Sequence, residues 1–148
     1  MRKIADEAES VEGIVNIVDD LTDAGLDTFE SAARRYGGDP KARAFLTNDG
    51  SVYLRRSSGK DILVDFAHEM THRIDHKEGA GIFKKIGSDW YSKSLDVLDE
   101  KQLFRSEFRA YRVGNIVANH IDGSPRFATR KELFDHILSI YTNARNPY

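Results

Sequence analysis

Residues Asp65 to His76 read DFAHEMTHRIDH, which sets His68 and His72 four apart with Glu69 directly after the first. On a helix, residues four apart stand one turn above each other on the same face. Two imidazoles so placed reach one metal ion at the ~2.0–2.1 Å that zinc requires, with no distortion of backbone or rotamer. Glu69 falls on the adjoining face. A carboxylate there is too far round to join the same coordination sphere easily, yet close enough to take a proton from water at the metal. The competing reading is a plain polar stripe on a buried helix. A chance H-E-x-x-H string falls anywhere, loops included, whereas this one lies in an amphipathic segment that follows a hairpin, the setting such a site requires.

The chain has no cysteine, so thiolate ligands, disulfides and a cysteine nucleophile are excluded and a third ligand must be His, Asp or Glu. His76, eight residues after His68, lies about 80° off the His68–His72–Asp75 stripe of the same helix, which suits a supporting or exposed position. Further on comes FRSEFRAYRVGN, in which Leu103, Phe104, Glu107, Ala110, Tyr111 and Gly114 share one helical side. A lone glutamate beside a small alanine among apolar neighbours suits a ligand packed against the motif helix. Glu107 is therefore the favoured third ligand, giving a His2Glu site, with Asp96, Asp99 and His120 as the remaining candidates. Asp75 is then expected to orient a ligand imidazole from behind.

The elements that must position these residues are short and follow closely on one another. Val11, Ile14, Val15, Val18 and Leu21 recur at helical spacing, and a second helix is expected from about 28 to 36, opened by Asp27 with Glu30 and stopped at Gly37-Gly38. Runs with β-formers flank Asn48-Asp49-Gly50, predicting a hairpin from about 42 to 56 that Ser57-Ser58-Gly59 breaks. From 60 to about 76, Leu63, Phe66, Ala67, Met70 and Ile74 mark one buried helix face, so the motif sits on a helix. Asp99 with Gln102 caps the Glu107 helix, and Thr129 with Glu132 caps a last helix whose Leu133, Phe134, Ile137, Leu138 and Tyr141 read as core. The pattern predicts one α+β domain over 1–148, helix-rich, with about five helices around a small sheet packed on the motif helix.

Composition removes other classes of function. The 22 basic residues against 24 acidic ones leave a formal charge of −2 and no basic footprint for nucleic acid. Residues 1–10 turn acidic before any apolar run develops, and no stretch is apolar for long enough to span a bilayer. The chain is expected to be soluble, either cytoplasmic or delivered as part of a larger secreted protein.

HEMTHRID followed by EFRAYRV resembles the gluzincin pattern, H-E-x-x-H with a downstream Glu-x-x-Ala helix, and most resembles the lethal-factor type and related metallopeptidase domains of bacterial toxins and effectors. The likeness covers roughly residues 61 to 115. It implies a zincin-like fold, zinc on His68, His72 and Glu107, Glu69 as general base, and a tyrosine that stabilises the oxyanion. This chain has no tyrosine immediately before Glu107, which leaves Tyr111 and Tyr91 as substitutes. It also implies a protein or peptide substrate and, by analogy with toxins, an inhibitor or immunity protein as a further partner. The ImmA/IrrE-type regulatory peptidases are similar too: their helix reads H-E-x-x-H-x-x-x-H, which His76 matches. The resulting expectation is a zinc metalloendopeptidase in which 51–56, the strand before the motif helix, pairs with extended substrate. A zincin-shaped binding module without turnover is the alternative; retention of Glu69 favours the enzyme.

Overall fold

The computed structural model describes residues 15–36, 39–47, 50–78, 100–141 and 144–148. Among these residues the protein is α+β and helix-rich. Three strands, β1 (Val15–Val18), β2 (Ala44–Leu46) and β3 (Val52–Arg55), accompany four α-helices: α1 (Asp23–Arg35), α2 (Ile62–Glu78), α3 (Glu100–Asp122) and α4 (Arg130–Ile140). The sheet order is β1-β3-β2, with β1 parallel and β2 antiparallel to β3.

β1 corrects the helix expected around residues 15–21. The run Val-Asn-Ile-Val is rich in β-branched side chains, which lose rotamer freedom in a helix and fit a pleated surface. Pairing with β3 from Val15↔Val52 to Val18↔Arg55 settles the matter, and Leu21, which completed the helical pattern, is 70% exposed. Val11 and Ile14 lie outside the described residues. The start of α1 is corrected too. Its cap is Thr22, whose hydroxyl accepts from Gly25 N at 3.0 Å, so Asp27 lies inside the helix. Gly25 is required there because a Cβ would fall 1.7 Å from the Asp19 carbonyl oxygen.

The hairpin forms in the expected place, with Ala44↔Leu54, Phe45↔Tyr53 and Leu46↔Val52 in register. Thr47 N donates to Ser51 O at 2.8 Å across the turn, and Gly50 adopts a positive φ of 87°. One expectation fails here: β3 is the middle strand, bonded on both sides, so it has no free edge for an extended substrate. Residues 56–61 then turn in a 3-10 segment and α2 begins.

Strand alternation sorts side chains to the two faces of the sheet. Phe45 and Tyr53 face α1, where Phe29 and Ala33 are fully buried. Leu46, Val52 and Leu54 face the other way, against Ala67 and Met70 of α2 and Val117 of α3. The sheet thus packs on the motif helix. Burying Leu54 and Met70 completely stabilises the fold by roughly 1.5–3 kcal/mol each. α2 and α3 make the most extensive helix–helix contact, and Gly114 permits it: a Cβ there would meet Val64 Cγ1 at 3.3 Å. α4 closes over α3 through Phe104, Phe108, Leu133 and Ile137, and Thr129 caps it as expected by accepting from Glu132 N at 3.1 Å. No described helix is long and apolar enough to cross a membrane.

Candidate metal centre

α2 and α3 bring three ligand-type side chains to one point. His68 and His72 project from α2, and Glu107 meets them from α3. His68 Nε2 and His72 Nε2 are 3.2 Å apart; Glu107 Oε2 lies 3.3 Å from His68 Nε2, and Glu107 Oε1 lies 3.2 Å from His72 Nε2. Donors held 2.0–2.1 Å from one tetrahedral zinc ion are about 3.3 Å apart. The two imidazole nitrogens have that separation, and each Glu107 oxygen has it to one of them, Oε2 to His68 and Oε1 to His72. Moreover, Glu107 Oε2 is buried and receives no hydrogen bond despite its closeness to His68. A buried carboxylate oxygen left without a donor is costly, and a cation would satisfy it. The residues present fit a divalent metal.

The cluster sits behind protein on most sides, with His72 and Glu107 each only 6% exposed. Without a metal it holds charge by mutual compensation. Burial disfavours the imidazolium of His72, but the adjacent Glu107 carboxylate outweighs it and holds the pKa up at about 9. Burial likewise pushes Glu107 up, yet the charge of His72 and the nearby His68 imidazole prevail and leave its carboxyl well below the usual range.

His72 is held from behind by Ser106, whose Oγ lies 3.1 Å from His72 Nδ1. If that nitrogen donates its proton to the serine, the Nε2 lone pair faces the cluster, as a ligand requires. This corrects the role expected of Asp75. Asp75 shares the His72 stripe, but its Oδ1 is 2.6 Å from Arg109 Nη1, and α3 inserts Ser106 where a carboxylate was anticipated. Asp75 contributes to His72 through its charge. Spacing within one helix could not reveal a serine brought in from another.

Glu69 lies beside the cluster and outside it. Burial raises its carboxyl above the ordinary range, against the opposing charges of His68 and His72. Tyr111, one turn beyond Glu107, packs its ring edge-on to His68 at 4.4 Å between centroids. Burial and the Glu107 charge push its pKa up, so the hydroxyl keeps its proton. The sequence reading missed Tyr141. Its hydroxyl, at the C-terminal end of α4, interacts electrostatically with Glu107 and Tyr111, and burial, then the Glu107 charge, raises its pKa as well. Its spacing from Ile137 resembled plain core, and only the packing of α4 on α3 discloses the second role. His120 lies on α3 away from the cluster, exposed. Asp96, Asp99, Tyr91 and the His76 side chain lie outside the described residues. No protein-family model, curated protein or solved structure matches this chain, so its functional reading stands on the residues themselves.

Proposed function

We propose that the chain is a zinc-dependent metalloendopeptidase of zincin-like architecture acting on a protein substrate, with His68, His72 and Glu107 as ligands and Glu69 as general base. The observation that carries this reading is the convergence of His68, His72 and Glu107, with the imidazole nitrogens 3.2 Å apart and a Glu107 oxygen within 3.3 Å of each, and a raised carboxylate beside them. A His2Glu set that leaves the fourth position to water or substrate is the pattern of catalytic zinc, and a cysteine-free site excludes the closed thiolate pattern. When bound, the ion supplies Lewis acidity, which lowers the pKa of water toward ~7 and polarises a carbonyl.

The protein's residues supply the rest. A base works best when its pKa approaches the working pH, and burial moves Glu69 in that direction. Glu69 accepts the proton of the attacking water and returns it to the leaving amide nitrogen. Tyr111, kept protonated, is the hydrogen-bond donor for the carbonyl oxygen as negative charge develops on it. Extended substrate is best received along β2: among the described residues it pairs only with β3, and it lies against α2.

The test is Glu69→Gln. Glutamine keeps the shape but accepts no proton at neutral pH. Zinc affinity and melting temperature should match the unaltered protein, while cleavage of a substrate identified from a zinc-loaded lysate digest should fall by at least ~10²-fold. Undiminished cleavage by Glu69→Gln would remove Glu69 from the mechanism; zinc binding without cleavage of anything by either protein would favour a binding module.

A further inference from the structure

Phe108, Arg112 and Asn115 form a stripe on α3 about 100° round from Glu107 and Tyr111. A cavity of about 390 Å3 opens there, between α3, the segment before α4 and the first turn of α4, and Phe127, Arg130 and Leu133 complete its wall. One wall is fixed by Asn115, whose Oδ1 accepts from Arg126 N and Phe127 N at 3.0 and 3.1 Å while its Nδ2 donates to Phe127 O. Two cations overlook it. The guanidinium carbons of Arg112 and Arg130 lie 5.6 and 5.4 Å from the centre of the Phe108 ring. A guanidinium laid on a ring keeps its in-plane N–H groups available for an oxyanion.

Neither arginine has a carboxylate partner among the described residues; they share this with Arg35, Arg105 and Arg145, whereas Arg34, Arg43, Arg55, Arg56, Arg109 and Arg126 are paired. Among the unpaired ones, Arg112 and Arg130 both line this cavity. Shortage of acid does not explain this, since acidic residues outnumber basic ones 24 to 22. The nearest acid of α4, Glu132, turns instead to Ala128 N. The space is larger than a bare tetrahedral anion fills, and Phe108, Phe127 and Leu133 give it an apolar floor.

We propose that this groove binds an acidic peptide segment, with a side-chain carboxylate bridging Arg112 and Arg130 and its aliphatic stem lying on the apolar floor. The site is independent of the metal cluster, since none of the cluster residues lines it. It selects among protein partners by charge, and its affinity falls with ionic strength.

The experiment titrates the full chain with end-blocked hexaglutamate, with hexaglutamine and inorganic phosphate alongside. Hexaglutamate should bind, weaken as salt is raised and perturb the backbone resonances of residues 108–115 and 127–133; hexaglutamine should not bind, and phosphate should bind more weakly. Replacing both arginines (Arg112→Gln with Arg130→Gln) should lower hexaglutamate affinity about tenfold or more. Arg112→Lys with Arg130→Lys, which keeps the charge and loses the fork, should fall between the two. Undiminished binding by the glutamine pair, equal binding of hexaglutamine or phosphate, absence of hexaglutamate binding, or a lysine pair as tight as the parent would each overturn the proposal.

Discussion

Two faces of α3 treat charge in opposite ways. Glu107 is buried, and its ion-pair partners among the described residues are two imidazoles. Arg112, five residues on, is exposed, rests on an aromatic ring and has no acidic partner among the described residues. A charge withdrawn from water has to be compensated from within, because its desolvation costs several kcal/mol. A charge left in water has no such need. The buried face is therefore read through what compensates its charge, and the exposed face through the compensation it lacks among the described residues.

Removing the compensation at the buried face should have the largest effect. Glu107→Ala deletes one of three ligands and leaves two imidazoles alone, so zinc affinity should drop by more than the ~10–100-fold that a supporting residue commands. Competition against a chromophoric chelator measures it, with Arg112→Gln, on the other face of the same helix, as the unchanged control. Ser106→Ala comes next. It spares every ligand but frees the His72 ring, so affinity should fall within that ~10–100-fold range, and Ser106→Thr, which retains the hydroxyl, should restore it. An alanine variant with parental affinity would mean that His72 needs no orienting partner.

The smallest effect per step is a dependence on pH. In the metal-free protein the raised pKa of His72, about 9 against an ordinary 6.5, means that a proton must leave before zinc can bind. Apparent zinc affinity should accordingly rise about tenfold per pH unit between 6.5 and 9, then level off. The stability of the metal-free protein should move the other way. A raised folded-state pKa stabilises where the group is protonated, so the His72 contribution is complete below 6.5 and lost as pH rises through about 9. Glu107, with its pKa lowered, contributes above 4.5 and loses its effect as pH falls further. Thermal melts of the chelator-treated protein across this range check both signs.

How far these features were legible in the sequence depended on how local they are. The motif helix, the hairpin and the Thr129 cap are set by residues within a few positions of one another, and they form where the spacing placed them. His68, His72 and Glu107 also converge as expected, because a polar residue on an otherwise apolar helical side has few places to go. β1 was misread because five apolar residues at helical spacing also suit a strand, and only pairing with β3 decides between them. Ser106 behind His72 and Tyr141 above Glu107 arise from packing between helices distant in sequence, which no periodicity within one helix encodes. The strand before the motif helix was correctly placed, but its position in the middle of the sheet depends on β1, some 35 residues earlier.

X-ray absorption at the zinc edge of the zinc-loaded protein tests the central claim most directly. The account predicts one zinc per chain with two imidazole nitrogens and carboxylate oxygen at ~2.0–2.2 Å, and loss of the oxygen contribution attributable to protein in Glu107→Ala. A protein that retains no zinc at neutral pH, or a bound ion whose shell contains only one imidazole, would contradict it.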